Sequence, residues 1–192
     1  MGTLKTTNIE SISGSGTVTL GVSGETFNVP SGVTISNSGT ATGFGGDNTP
    51  YFYGELSANQ TLTYATTTQI TGLTNDELDS NTAFDGTTFT VPSGQAGKYF
   101  IQGVCQANYS TIGNDGEKTM ARIYLNGAAI KNGIHQVSSS GNGREITCTA
   151  NALVNLSVGN TIELYGYAED ASGGNAYLVS NQTSLMGFKL IE

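Results

Sequence analysis

The sequence is short of basic residues, and this shortage excludes one large class of partners. Its 192 residues contain only seven lysines and arginines against 15 aspartates and glutamates, which gives a formal net charge of −8. Proteins that bind nucleic acids neutralise the phosphates with clustered lysine or arginine side chains. Here the basic residues are scattered singly along the chain. We therefore expect no nucleic-acid partner.

Long apolar stretches are also missing. No segment approaches the ~20 consecutive apolar residues of a membrane-spanning helix, so we expect no membrane partner. The first residues, MGTLKTTNIESISGSG, carry neither the basic start nor the apolar stretch of a secretory signal peptide. We expect a polypeptide that is made in a cytoplasm and has no visible export signal.

The residues that usually carry catalysis are scarce. The only histidine, His135, lies near no nucleophile motif, so we expect a surface residue of a hairpin. The acidic stretch Asp76, Glu77 and Asp79 offers oxygen ligands for Ca²⁺, but it lacks the glycine and spacing of an EF-hand loop, which favours a solvated turn. No phosphate loop or Cys/His metal set occurs. We expect no enzyme, no cofactor and no metal ion.

Two cysteines are present, Cys105 and Cys148, and both lie in segments that alternate between apolar and polar residues. A disulfide is one reading of this pair. A cytoplasmic origin disfavours disulfides, so buried free thiols are the favoured interpretation.

The residues that are abundant indicate an all-β chain. Glycine occurs 27 times and β-branched threonine is common, while the helix-favouring lysine, glutamate and arginine are few. About ten alternating runs follow Pro50, separated by turn signals. This number and spacing predict an antiparallel sandwich of jelly-roll size. The predicted turns are Ser93-Gly94, Asn126-Gly127, Asn132-Gly133 and Gly173-Gly174.

Residues 1–46 differ from the rest of the chain. They contain the short runs TVTLGV, TFNVP and VTISNSG, in which apolar and polar residues alternate. These runs have too few bulky residues to form a hydrophobic core of their own. We predict an N-terminal anchor segment at 1–46, formed of short extended strands, and a jelly-roll domain at 47–192. A flexible tail is the alternative for residues 1–46. The apolar side chains expected to make the anchor contacts are Leu4, Ile9, Val18, Leu20, Phe27 and Val29.

One phrase occurs twice, as TFNVPSG at 26–32 and TFTVPSG at 88–94. The alternation before the proline predicts a short strand, and Pro-Ser-Gly predicts a turn that ends it. We interpret the two copies as the same strand-to-turn sequence occurring independently at two places, rather than as a structural repeat.

Residues 52–192 resemble the C1q/TNF-like jelly roll. The stretches that carry the resemblance are AFDGTTFTVPSGQAGKYFIQG, IYLNG, LVNLSVGNTIELYGY and SLMGFKLIE, in the order of that family. Two positions depart from its pattern: Asn160 replaces the usual aspartate, and an aromatic, Phe100, directly follows Tyr99. The matched residues are Phe84, Asp85, Phe89, Pro92, Gly97, Tyr99, Asn126, Gly127, Leu156, Gly159, Ile162, Leu164, Gly187, Phe188 and Leu190.

The resemblance implies a compact homotrimer, in which large side chains beyond the needs of the core are buried against neighbouring copies. For each of the candidate residues, a place in the sandwich core remains the alternative. The candidates for the trimer interface are Tyr99, Tyr165, Tyr167, Leu185 and Phe188.

In residues 1–46, the stretches MGTLKTTNIESISGSGTVTLG and VTISNSGTATGFGG resemble the N-terminal segments of fibre and decoration proteins of tailed phages. This resemblance implies a non-enzymatic virion structural protein, made in the cytoplasm of the bacterial host. We expect a trimeric capsid decoration (cement) or knob protein whose N-terminal segment binds capsid or tail proteins.

An alternative is a receptor-binding tail-fibre tip that recognises a glycan on the host surface. Exposed tyrosine rings would stack on sugars, and the many asparagine and threonine side chains would supply hydrogen bonds. A glycan hydrolase is a distant third reading because no pair of carboxylates can be assigned roles. The tyrosines proposed for glycan binding are Tyr51, Tyr53, Tyr109 and Tyr177.

Overall fold

The structure is a computed structural model that describes residues 19, 23, 26, 28–34, 36, 48–74, 78–109, 116–137 and 144–190. Contacts within the chain divide it into two compact units, Met1–Thr42 and Gly43–Glu192. In the first unit, the described positions belong to no helix or strand, and residues 31–32 form a turn.

The second unit is built from β-strands, and its described residues form no helix. Alternating apolar and polar residues produce these strands because successive side chains point to opposite faces of a sheet. The strands are β1 (Tyr51–Leu56), β2 (Gln60–Leu62), β3 (Thr68–Gln69), β4 (Leu73–Thr74), β5 (Thr88–Thr90), β6 (Gly97–Asn108), β7 (Gly116–Leu125), β8 (Ala128–Gln136), β9 (Glu145–Leu156), β10 (Thr161–Asp170), β11 (Ala176–Leu178) and β12 (Ser184–Lys189).

The strands form two sheets, and all paired strands within each sheet are antiparallel. Sheet A has the order β2-β11-β6-β12-β1-β4, with β9 paired to β6 as well. Sheet B has the order β3-β10-β7-β8, with β5 also paired to β10. The all-β jelly-roll prediction is confirmed.

An aromatic cluster lies in the core between the sheets. The Phe52 and Phe89 rings stack with centroids 4.3 Å apart, Phe84 lies 5.1 Å from Phe52, and Tyr99 lies 5.9 Å from Phe89. All four side chains are buried. Burial of a phenylalanine contributes about 1.5–3 kcal/mol to stability, so this cluster ties sheet A to the segment around β5.

The turn between β7 and β8 follows its sequence signal. Asn126 and Gly127 both have positive φ, 50° and 77°, as the two central residues of a type I′ turn require. This turn confirms the hairpin predicted from Asn-Gly.

The turn predicted at Asn132-Gly133 is wrong, since both residues lie within β8. A Cβ atom on Gly133 would come within 2.0 Å of the Thr149 carbonyl oxygen on β9. The glycine therefore serves the close approach of β8 to β9, at the edge where the two sheets meet, and not a reversal of the chain.

Substitution of Gly133 by alanine is expected to destabilise the protein by about 1–3 kcal/mol, because the β9 backbone must move to admit the methyl group. Thermal and urea unfolding measure the change. Lys131→Ala, at an exposed position of the same strand, is the control and should change stability by no more than about 0.5 kcal/mol. Equal stabilities of the two variants would contradict the close approach.

Both copies of the repeated phrase end in the same turn. The Val33 N–H donates to the Pro30 carbonyl oxygen at 3.2 Å, and the Gln95 N–H donates to that of Pro92 at 3.1 Å. The glycine before each donor has positive φ, 84° at residue 32 and 76° at residue 94. The predicted turns are confirmed. The second copy contains the predicted strand, as β5. The described positions of the first copy lie in no strand.

The two cysteines are free thiols that face each other across β6 and β9, and both are buried. Burial raises the pKa of the Cys148 thiol to about 12 and that of Cys105 well above its usual value. Buried thiols of high pKa react slowly, because the thiolate is the reactive form.

We expect neither cysteine to react with a thiol reagent in the folded protein at neutral pH, and both to react after denaturation. Absorbance with an aromatic disulfide reagent measures the number of reactive thiols. A fast-reacting thiol in the native protein would contradict the burial of this pair.

Candidate functional site

A row of large apolar side chains crosses the outer face of sheet A. Tyr51 on β1 pairs with Phe188 on β12, Phe188 pairs with Phe100 on β6, and Phe100 pairs with Leu153 on β9. Their neighbours on either side along each strand face the core. The four residues therefore stand side by side on the outer face, and we call them the apolar row.

The apolar row is accessible in the single chain. Leu153 is 75% exposed and Tyr51 is 40% exposed, while Phe100 and Phe188 are half-buried with ring centroids 5.5 Å apart. Contiguous exposed apolar side chains of this kind mark a surface that another molecule covers. This surface is the candidate site.

The outer face of sheet A is more polar at the next set of paired residues, two positions along each strand from the apolar row. Tyr53 pairs with Met186, but the next two positions are Gln102 and Asn151, whose side chains form a hydrogen bond of 2.9 Å. The Tyr53 hydroxyl donates to the carboxylate of Glu55. Burial, reinforced by that carboxylate, raises the pKa of Tyr53 to about 12. The apolar row thus ends at a polar border, as interface surfaces commonly do.

Two of the predicted interface residues belong to the core instead. Tyr99 and Leu185 are fully buried within the chain, so neither can contact a neighbouring copy. Both occupy strand positions that point towards sheet B. The Tyr99 hydroxyl donates to the Gln95 carbonyl oxygen at 2.6 Å, and burial raises its pKa to about 12. For these two residues the core alternative is correct.

The other three interface candidates do not form one surface. Phe188 lies in the apolar row, whereas Tyr165 and Tyr167 lie on the outer face of sheet B, on the opposite side of the sandwich. The Tyr165 ring stacks on Tyr124 with centroids 4.0 Å apart. One contact region therefore cannot include all three residues.

Charged groups surround Tyr167 on sheet B. Lys118 Nζ lies 2.5 Å from a Glu169 carboxylate oxygen and 5.1 Å from the centre of the Tyr167 ring, whose hydroxyl also donates to Glu169. Desolvation acts to raise the pKa of Glu169, but Lys118 and Tyr167 outweigh it and lower the pKa. These three side chains therefore bind one another within the chain.

The tyrosines proposed for glycan binding are not brought together. Tyr109 is fully buried and donates to the Lys118 carbonyl oxygen at 2.9 Å, so its predicted role in stacking on sugars is wrong. Tyr177 is half-buried beside Asn108 of β6, whereas Tyr53 lies at the level of Gln102. Six residues of a strand separate these levels by about 20 Å.

Most of the predicted anchor contacts cannot be placed. Leu4, Ile9, Val18, Leu20 and Phe27 lie outside the described residues. Val29 is half-buried and belongs to no strand.

The candidate residues for chemistry have structural partners. His135 is exposed on β8, and its Nδ1 lies 2.9 Å from the Thr147 carbonyl oxygen. Asp79 accepts hydrogen bonds from the backbone N–H groups of Ala83 and Phe84 at 2.9 and 3.0 Å. Asp76 and Glu77 fall outside the described residues. Over the ranges that the structure describes, no three His, Cys, Asp or Glu side chains are arranged to hold a metal ion.

Where the structure describes the chain, it contains no helix of the length and hydropathy that a membrane crossing requires.

A separate surface cleft of about 420 Å³ lies between residues 81 and 92. Ala83, Phe84 and Pro92 supply its apolar lining. The polar groups are those of Asn81, Thr82, Asp85, Thr88 and Thr90.

The two sheets define a C1q/TNF-like jelly roll, and solved structures share this fold. The globular domain of a zebrafish complement 1qA protein is 13% identical with a TM-score of 0.50, over 73% of this chain and 97% of that one. Eiger TNF from S. frugiperda is 10% identical with a TM-score of 0.53, over 73% and 93%. Murine APRIL at pH 5.0 is 13% identical with a TM-score of 0.51, over 73% and 99%. At these identities the likeness shows the fold alone.

No protein-family model matches the chain, and no curated protein matches it.

Sequence reasoning missed Tyr51, Phe100 and Leu153 as members of the candidate surface. The signal was the pair of adjacent aromatics Tyr99 and Phe100. Neighbouring residues of a strand point to opposite faces, so two adjacent aromatics require an apolar environment on both sides of the sheet.

Proposed function

We propose that the protein is a non-enzymatic structural component of a tailed-phage virion, a trimeric decoration (cement) or knob protein attached through residues 1–46. The apolar row carries the assembly part of this proposal. The resemblance of the N-terminal segment to phage fibre and decoration proteins supports the virion part. None of the three similar structures bears the name of an enzyme.

A trimer would cover the apolar row. Three copies around one axis form a closed ring, in which each contact joins two different patches of neighbouring copies and no patch is left to grow into a fibre. The row runs from Tyr51 on β1 to Leu153 on β9, so it reaches one edge of sheet A, where a neighbouring copy can contact it.

The trimer is also suited to cementing a shell. Three N-terminal segments on one particle-bound trimer bind far more tightly than one, provided that they reach their sites together. Extended segments can add to the edge of another protein's sheet, where main-chain hydrogen bonds give affinity and alternate side chains give specificity. No pocket or catalytic chemistry is needed for this role.

Glycan recognition by a fibre tip is the second candidate function. The cleft between residues 81 and 92 favours it, because the adjacent loop is bound to the exposed Tyr51. The Tyr51 N–H donates to the Ser80 hydroxyl at 3.0 Å, and that hydroxyl donates to Asn81 at 2.8 Å.

Two measurements test the main proposal. Light scattering or sedimentation of the purified protein at micromolar concentration should give the mass of three chains. Mass spectrometry of purified particles should find the protein after washing. A monomer would refute the trimer, and absence from washed particles would refute the virion role.

A further inference from the structure

The cleft between residues 81 and 92 has the size and the free polar groups of a binding site. Its volume of about 420 Å³ falls within the range of roughly 300–1,000 Å³ typical of small-ligand sites. Asp85 uses one carboxylate oxygen, Oδ1, to accept from the N–H groups of Thr87 and Thr88 at 2.9 and 2.7 Å. Within the part of the chain that the structure describes, its other oxygen accepts no hydrogen bond.

Hydroxyl groups on both sides of Asp85 are also free. The side chains of Thr82, Thr88 and Thr90 line the cleft, and their hydroxyls make no hydrogen bond to any described residue. Asn81 uses its amide oxygen towards Ser80 and keeps its NH₂ group available as a donor. The cleft therefore presents one charged acceptor, three hydroxyls and one donor.

The loop that forms the cleft is held in place before any ligand binds. Asp79 binds the N–H groups of Ala83 and Phe84, and the Thr90 N–H donates to the Ala83 carbonyl oxygen at 2.8 Å. Thr82 has a φ of 51°, which is rare for a β-branched residue. Backbone in such a region is strained, persists only where neighbouring contacts enforce it, and is common at ligand clamps.

These groups fit a neutral polyhydroxylated ligand. A carboxylate oxygen and several hydroxyls match the mixed donors and acceptors of a sugar, and the half-buried Ala83 and Pro92 offer apolar surface for its C–H groups. The cleft contains a carboxylate and no basic side chain, and the chain carries a net charge of −8, so an anionic sugar is disfavoured.

We propose that the cleft between residues 81 and 92 binds one neutral monosaccharide unit of a glycan, with Asp85 as the main acceptor. This inference deepens the second candidate function, glycan recognition, and does not depend on attachment to a particle. It also moves the sugar site from the separated tyrosines to one cleft beside Tyr51.

The test uses the full chain and a panel of methyl glycosides of glucose, galactose, mannose and N-acetylglucosamine. Amide chemical shifts followed by NMR should change for residues 81–92 with at least one glycoside, with a dissociation constant of about 1 mM, as suits an open site. Methyl sialoside should bind more weakly than that glycoside. No shift at saturating concentration, or shifts elsewhere on the chain, would refute the site.

Two substitutions sharpen the test. Asp85→Asn keeps the oxygen that holds the turn but replaces the free acceptor by a donor, so affinity should fall about tenfold or more. Thr90→Val removes one hydroxyl and should weaken binding roughly twofold to tenfold. Thr61→Val, at an exposed position of β2, is the matched control and should leave affinity unchanged.

The outcomes separate this inference from the virion role. Unchanged affinity in Asp85→Asn, or equal loss in Thr61→Val, would overturn the site even if the protein is a trimer on particles. Binding of Ca²⁺ alone at the cleft, measured by calorimetry without glycoside, would also overturn it. Glycoside binding that Asp85→Asn abolishes would uphold the site even if the protein were absent from particles.

Discussion

Phe100→Glu is expected to convert the trimer into a monomer that remains folded. Phe100 lies in the middle of the apolar row and faces away from the core, so the chain itself can accept glutamate there. In the trimer the carboxylate would be buried without a partner, which costs about 3–5 kcal/mol at each contact. Light scattering at micromolar concentration measures the loss of assembly, and circular dichroism measures retention of the fold.

Val158→Glu is the matched control for this experiment. Val158 is 52% exposed in the turn after β9, outside the apolar row, and receives the same charge. We expect it to stay trimeric. A trimeric Phe100→Glu variant would show that another surface forms the contact, and loss of the fold would place Phe100 among the residues that hold the sandwich together.

Deletion of residues 1–46 is expected to leave a folded trimer that no longer joins its particle. The buried apolar core described by the structure consists of residues between Phe52 and Leu185, so the deletion removes none of these side chains. The contact division between Thr42 and Gly43 lies close to the proposed cut. Binding to particles should fall to background, because the proposed attachment contacts are all lost.

Copurification with particles measures this loss, and the full chain is the control. Circular dichroism and light scattering show whether residues 47–192 fold and assemble alone. If the shortened chain fails to fold, the N-terminal segment is part of the sandwich. If it still binds particles, attachment uses the jelly-roll domain.

The fold could be predicted because its local signals agree with its tertiary structure. Alternation along β6 and β10 determines which residues are buried, and Asn126-Gly127 adopts the turn that its sequence requires. Asn132-Gly133 carries a similar dipeptide but continues a strand. The reason is the approach of Thr149 from β9, a contact between distant parts of the chain that a local pattern does not contain.

The candidate site is harder to predict than the fold, because the type of a residue does not show which face of its strand the side chain occupies. Tyr99 and Tyr109 were proposed for surfaces, yet both share the inward-facing set of β6 and its continuation with Ile101, Cys105 and Ala107. Alternate residues of a strand share one face of the sheet, so the burial of one member of this set identifies the others as core residues. Alternation alone does not say which face is inward, since the other set also contains apolar residues such as Phe100.

The cleft was not predicted from the sequence at all. Asp85 was recognised only as part of the family resemblance, where it follows Phe84. Asp85 comes to line one cleft with Thr82 and Thr90 only after β5 pairs with β10 and the loop after Asp79 closes. Sites of this kind depend on tertiary contacts and leave little local signal.

Electron cryomicroscopy of the intact particle tests the central claim most directly, because it gives both the position and the copy number of the protein. We predict jelly-roll trimers in many copies across the capsid shell, each joined to it by its N-terminal segments. A handful of copies at the tail, or no density that fits the trimer, would contradict the account.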